Sequence, residues 1–198
     1  MNYPKVGIVI LTYNARSTLG EVLDKAIQSA LNQDYPNIEV VVVDNNSNDD
    51  TYEYVKDRYG DKVRVVRLPK NYGYCLGNNL ALKYVSRDAE YVLFQNPDAI
   101  LAKDYVRKLV EILERDRSVA AVQGLEIQPS TEVAKMGALL NYGGYYSIVE
   151  IPSPHHISYD LEVLIVFGAA MLVRRKVFEM LGGFHPNFSY TVMKQILV

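Results

Sequence analysis

Val6-Gly-Ile-Val-Ile-Leu-Thr-Tyr-Asn14 is the stretch that decides the architecture of this chain. From Val6 to Leu11 every residue is apolar or glycine, with β-branched side chains at Val6, Ile8, Val9 and Ile10. A half-buried strand would alternate apolar and polar residues. An unbroken run of this length reads instead as a strand covered on both faces, the kind found inside parallel sheets. It ends abruptly in Thr12, Tyr13 and Asn14, which can all hydrogen bond.

Downstream, Leu19, Val22, Leu23, Ala26, Ile27, Ala30 and Leu31 trace one helical stripe, and Thr18 and Glu21 have the spacing of a capping box. Asp34-Tyr-Pro-Asn37 breaks the chain before a second strand, Ile38 to Val43. The polar loop Asp44 to Asp50 can cap a helix that ends near Tyr59. A third strand covers Val63 to Leu68, and a helix from about Leu76 to Val85 follows a glycine-containing loop. The fourth strand, Tyr91 to Phe94, stops at Gln95-Asn-Pro-Asp98. Val106, Leu109, Val110 and Leu113 then share a helix face, and Val119 to Val122 forms a fifth strand. Strand and helix alternate with short connections, which predicts an α/β fold: a mostly parallel sheet with helices on both faces. From 125 to 160 the sequence shows no clear period and reads as an excursion from this pattern. Leu161 to Val173 reads as a strand, and a helix around Lys176 to Leu181 is terminated by Gly182-Gly183.

The 198 residues fit one domain with a well-buried core. A net charge of -2 gives no reason to expect nucleic acid as a partner. Sixteen tyrosines and no tryptophan read as core and half-buried surface, with sugar-stacking rings as the alternative. Cys75 has no second cysteine to pair with, and His155, His156 and His185 lack metal-ligand spacing. A reducing, cytoplasmic setting is therefore expected, peripheral to a membrane if a binding partner is lipid-linked. The apolar run from Val6 to Leu11 is far too short to span a bilayer.

In open parallel sheets, ligands sit beyond the carboxyl ends of the strands. The polar clusters of this chain fall there: Thr12 and Asn14 after the first strand, Asp44 after the second, Asn71-Tyr-Gly73 and Gly77-Asn-Asn79 after the third, and Asp98 after the fourth. Asp44 suits a turn or helix cap, and equally an acceptor for a base or ribose. Asp98, after a proline, suits a turn, or a hard divalent cation that wants oxygen ligands. Gly73 and Gly77 would let a ligand approach the backbone closely. Neither a Gly-x-Gly-x-x-Gly fingerprint nor a Walker sequence is present, which argues against redox Rossmann and P-loop functions.

Taken together, Ile10-Leu-Thr-Tyr-Asn14, Val41-Val-Val-Asp-Asn-Asn-Ser47, Asn71-Tyr-Gly-Tyr74, Gly77-Asn-Asn79, Asn96-Pro-Asp98, Gly168-Ala-Ala-Met-Leu-Val-Arg-Arg175 and Gly182-Gly-Phe184 resemble family 2 glycosyltransferases of the GT-A fold, in particular their rhamnosyltransferase-like branch. The resemblance runs from Val6 to about Phe188. It implies an inverting transfer from a UDP-, dTDP- or GDP-sugar to a glycan or lipid-linked acceptor, in cell-wall or polysaccharide biosynthesis. The implied nucleotide site comprises Thr12, Tyr13, Asn14, Asp44, Asn71, Gly73, Gly77, Asn78 and Asn96. Asn96-Pro-Asp98 stands where the family has Asp-x-Asp, which makes Asp98 the implied ligand of Mg²⁺ or Mn²⁺. Residues 1–123 would be the nucleotide-binding half and 124–198 the acceptor-side half of one catalytic domain.

Family members carry an acidic pair soon after Gly-Gly-Phe, from which the base comes. Residues 185 to 198 contain no Asp or Glu, and His185 is the substitute candidate. Reading Ser189-Tyr-Thr-Val-Met-Lys-Gln-Ile196 from the third base of the serine codon, with the last triplet completed by Leu197, permits Leu-Tyr-Ser-Asp-Glu-Thr-Asp-Phe. The expectation is therefore a shifted reading frame after about residue 188, in a chain that binds donor but transfers poorly. The alternative is a non-catalytic nucleotide-sugar-binding protein or partner subunit.

Overall fold

The computed structural model describes residues 3–127, 133–140, 146–152 and 168–185. The stretch that opens the sequence reading forms strand β1 (Val6–Thr12), in which Val6, Ile8, Val9 and Ile10 are fully buried. Strand β2 (Ile38–Asp44) lies parallel to β1 on one side and strand β4 (Tyr91–Gln95) lies parallel on the other. Strand β3 (Arg64–Arg67) extends the parallel set beyond β2. Strand β9 (Ala170–Arg174) runs antiparallel between β4 and strand β5 (Ala121–Gln123). The order is β3-β2-β1-β4-β9-β5, a mostly parallel six-stranded sheet.

Two apolar layers cover this sheet. Ile8, Ile10, Val40, Val42, Leu93 and Leu172 face helices α1 (Ala15–Leu19), α2 (Glu21–Leu31), α3 (Thr51–Tyr59) and α5 (Tyr105–Arg115). Val9, Val41, Val43, Val92, Phe94 and Val173 face α4 (Gly73–Ala81), a 3₁₀ turn at Leu82–Tyr84, and α6 (Arg175–Met180). Consecutive strand residues point to opposite faces, so the unbroken apolar runs are what a sheet buried on both sides requires. At the strand starts, Arg174 donates to the carbonyls of Val119, Leu113 and Asp116 and to the Tyr91 hydroxyl, fixing the end of α5 against β9.

The structure departs from the sequence reading in several places. Thr18 and Glu21 form no capping box. Thr18 lies inside α1, where its hydroxyl donates to the Asn14 carbonyl at 2.8 Å, and Gly20, with φ +55°, separates α1 from α2. That conformation is open to glycine at little cost, so one expected helix becomes two. The 44–50 loop does cap α3 as expected, through Asp49, whose Oδ1 accepts from the Thr51 amide at 3.1 Å, while Asp50 makes no side-chain cap. α4 begins at Gly73, three residues before the expected Leu76.

The 125–160 excursion is also not without pattern. It contains strands β6 (Glu126–Ile127), β7 (Val133–Leu140) and β8 (Tyr146–Pro152), paired antiparallel in the order β6-β7-β8. Val133-Ala-Lys-Met-Gly-Ala-Leu-Leu140 lacks strict alternation, and the pairing shifts register between Lys135 and Ala138. Such a strand is specified by its partners rather than by a period of two. The strand expected over 161–173 is described only from Ala170, since 161–167 lie outside the described residues. The expected helix stop is present: Gly182 and Gly183 have φ +78° and +75° after α6.

Close approach at one glycine gives a test of this packing. A Cβ on Gly7 of β1 would stand 2.3 Å from Cγ1 of Val85, a stiff β-branched side chain. Gly7→Ala is expected to destabilise the fold by about 1–3 kcal/mol. Adding Val85→Ala should recover part of that loss, measured by chemical denaturation. Additive losses in the double variant would show that the contact is not the cause.

Candidate active site

The parallel register brings the polar strand ends side by side. Thr12 is the partner of Asp44 between β1 and β2, and Asp44 is the partner of Arg67 between β2 and β3. Thr12 is buried and its hydroxyl reaches the Val43 carbonyl at 3.4 Å. Tyr13, the next residue, is 43% exposed and its hydroxyl accepts from Asn48 Nδ2 at 3.2 Å. Asn14 has φ +50°, a left-handed conformation that asparagine tolerates better than most residues. Its Oδ1 accepts from the Asn48 amide at 2.7 Å, and its own amide donates to Ser47 Oγ at 2.8 Å. Asn14 thus ties the end of β1 to the loop after β2.

Asp44 is almost fully buried, and the protein already engages its carboxylate. The Ser47 hydroxyl donates to Oδ1, the Ser47 amide donates to Oδ2 at 3.1 Å, and Arg67 Nε lies 3.4 Å from Oδ2. Arg67 also donates to the Ser47 carbonyl at 2.7 Å and to Glu53 of α3 at 3.0 Å. The turn reading of Asp44 is therefore realised. It leaves the base-acceptor reading open, because each carboxylate oxygen has two lone-pair sites. Arg67 carries no sequence signal of this role, since at the end of a short edge strand it resembles an ordinary exposed arginine.

Asn45 is a second residue the sequence reading passed over. It is buried, its Oδ1 accepts from the Tyr72 amide at 2.9 Å, and its Nδ2 donates to Asn71 Oδ1 and the Gly73 carbonyl at 2.9 and 3.2 Å. Asn71 and Gly73 are thereby held at the mouth of the crevice, exposed, with Gly73 at φ +71° and open space where a Cβ would project. Gly77 does something different from what was expected. It is buried, and a Cβ there would lie 2.7 Å from Leu11 Cδ2 and 3.3 Å from Asn45 Nδ2. Its bareness serves the packing of α4 on β1. Asn78 is likewise buried, donating to the Tyr74 carbonyl at 3.0 Å.

At the end of β4, the Asn96 amide donates to the Ala169 carbonyl at 2.7 Å, and the Ala99 amide donates back to the Asn96 carbonyl at 3.1 Å. This turn carries Pro97 and Asp98. Asp98 is exposed, and its carboxylate makes no hydrogen bond or ion pair with a described residue. Among the described residues there is no group of three or more His, Cys, Asp or Glu that could hold a metal ion. A free single carboxylate still fits Mg²⁺ or Mn²⁺, which commonly take one or two carboxylates together with substrate phosphates and water. Across α4, Asn79 holds Phe184 by both of its backbone groups, Nδ2 donating to the carbonyl at 2.8 Å and Oδ1 accepting from the amide at 2.9 Å. His185 follows, exposed. Residues 186–198, where the shifted frame is expected, lie outside the described residues. No described helix is long and apolar enough to cross a membrane.

Known proteins resemble this chain in sequence or in fold. An uncharacterized glycosyltransferase of Haemophilus influenzae is 26% identical over 145 residues, covering 72% of this chain and 43% of the relative. The O-antigen chain rhamnosyltransferase RfbN of Salmonella typhimurium is 29% identical over 182 residues, 91% of this chain and 55% of the relative. Among solved structures, the mannosyltransferase PcManGT from Pyrobaculum calidifontis, in complex with GDP-Man and Mn²⁺, superposes with a TM-score of 0.67 at 22% identity, covering 94% of this chain and 49% of the other. The chain thus spans about half the length of the relatives it matches, and its sheet has the GT-A fold. The sequence profile of Glycosyl transferase family 2 matches residues 7–182, and the chain belongs to that family.

Proposed function

We propose that the crevice at the carboxyl ends of β1, β2, β3 and β4 binds a nucleotide-diphospho-sugar together with Mg²⁺ or Mn²⁺, as the donor site of an inverting glycosyltransferase acting on a glycan or lipid-linked acceptor. The observation that carries this reading is Asp98: an exposed carboxylate with no partner among the described residues, on a turn fixed to the Ala169 carbonyl, at the end of a fully buried strand. Thr12, Tyr13, Asn14 and Asp44 would meet the nucleoside, with the 71–73 loop closing over it from the α4 side. Asn96 shares the turn of Asp98 and would stand near the diphosphate. Residues 1–123 would form the nucleotide half and 124–198 the acceptor side.

Asp98 would hold the cation through an oxygen ligand, and the diphosphate would complete the coordination. A cation held by Asp98 would supply positive charge to offset that building on the departing diphosphate. The acceptor hydroxyl needs a base on the opposite face of the sugar to take its proton. His185 is the substitute base available next to Gly182-Gly-Phe184, and the clamp from Asn79 would place it. A second reading, donor binding without transfer, is favoured by the lack of any Asp or Glu from 185 to 198.

Three outcomes test these readings. With UDP, dTDP and GDP as probes, calorimetry should show one binding more tightly with Mn²⁺ than with EDTA, and Asp98→Ala should abolish that gain with the fold intact. An unchanged gain in the variant refutes the metal assignment. Asp44→Asn should weaken binding by about tenfold or more with Mn²⁺ and with EDTA alike, since it removes a charged acceptor. A loss seen only with Mn²⁺ would move Asp44 to the cation instead. In a turnover assay with nucleotide-sugars, the chain is expected to bind donor with little transfer. Restoring the acidic pair through the shifted reading frame should raise the rate, and robust turnover by the chain as it stands would overturn the second reading.

A further inference from the structure

We infer that Tyr74 is a positioning residue for the metal end of the donor site, acting through the Gly168–Ala169 turn on the turn that carries Asp98. The inference rests on the reading of Asp98 as the cation ligand. Its starting point is a short chain of hydrogen bonds joining three parts of the molecule that are distant in sequence. The Tyr74 hydroxyl, on the first turn of α4, donates to the carbonyl of buried Gly168 at 2.8 Å. The next carbonyl, that of Ala169, accepts from the Asn96 amide at 2.7 Å. The Asn96 carbonyl accepts from the Ala99 amide at 3.1 Å, closing the turn over Pro97 and Asp98. Asp98 itself has no described partner, so the backbone of this turn is what places its carboxylate.

Tyr74 is in turn held firmly. Its ring packs against Phe184 at a centroid distance of 6.1 Å, and its carbonyl accepts from Asn78 Nδ2 at 3.0 Å. The neighbouring Gly73 carbonyl accepts from Asn45 Nδ2, which ties the start of α4 to the end of β2. Burial raises the pKa of the phenol, and the neighbouring Cys75 and Asp98 side chains raise it further. The hydroxyl therefore stays protonated as a donor, and Asp98 is close enough for its charge to be felt. Groups that orient a metal ligand from behind commonly change metal affinity by about 10–100-fold when removed. Tyr74 would act one step further back than that, through two backbone carbonyls, without touching cation or nucleotide.

Tyr74→Phe removes only the hydroxyl and keeps the ring against Phe184. Calorimetry on the full chain would use whichever of UDP, dTDP and GDP the wild type binds, with Mn²⁺ and with EDTA. The gain from Mn²⁺ is expected to fall by about tenfold while the affinity in EDTA stays at the wild-type value. A structural role alone would lower both affinities or neither, and either result overturns the inference. Outright unfolding of the variant, seen by circular dichroism, also overturns it, because the effect is placed at the metal end alone. Asp98→Ala is measured alongside: if that variant keeps the full gain from Mn²⁺, the Asp98 reading fails. If it loses the gain while Tyr74→Phe keeps it, only the role of Tyr74 fails. A wild-type chain with no gain from Mn²⁺ overturns both.

Discussion

The register of three parallel strands is the constraint on which the candidate site depends. Thr12, Asp44 and Arg67 are far apart in sequence, yet β1, β2 and β3 end level with one another, so these residues stand side by side. Parallel pairing gives each strand the same direction, and every polar strand end must then gather on one edge of the sheet. The apolar sections of the strands set that level. Sliding β2 by one residue would turn Val41 and Val43 toward the wrong layer and Val40 and Val42 toward the other. Correct burial of the valines and correct placement of Asp44 are the same event.

Beyond the strand ends the backbone is irregular, and buried or half-buried amide side chains supply the hydrogen bonds that a sheet or helix would have given. Asn45 accepts from one backbone amide and donates to a backbone carbonyl in the 71–73 loop. Asn79 pairs with both backbone groups of Phe184, as a neighbouring strand would. A tyrosine works alongside them. Tyr105 accepts from the Gly124 amide at 2.9 Å and donates to the Ala170 carbonyl at 2.6 Å, so one phenol joins residues on either side of the 125–160 excursion. Burial, the largest influence on that phenol, pushes its pKa up to about 12. Some of the sixteen tyrosines are thus explained without sugar stacking: a phenol reaches past a packed ring to a backbone group that would otherwise be left unpaired.

Where glycine and carboxylate were read as ligand contacts, the physical environment separates them. Gly73 is exposed with open space above it, whereas Gly77 is needed so that α4 can approach Leu11 and Asn45. Asp44 is enclosed by Ser47 and Arg67, whereas Asp98 has no described partner. A buried carboxylate must be satisfied by the protein, whereas an exposed one can be satisfied by solvent or by a ligand.

The sequence alone determined the layering of the main sheet. Two-sided apolar runs such as Val6 to Leu11, separated by amphipathic helices with short connections, admit few other arrangements. The strand-end polar residues were legible for the same reason, since a carboxyl-terminal edge follows from strand direction. Tertiary structure alone decided the rest. Gly20 splits the first helix by a backbone angle that no periodicity records. Strands β7 and β8 pair through a shifted register that their own sequences do not display. Whether Asp44, Asn45 or Gly77 faces a ligand or the core depends on Arg67, Asn71 and Leu11, residues brought near by folding. A local pattern specifies which face of an element is buried, but the partner of a single polar group is fixed only when distant segments meet.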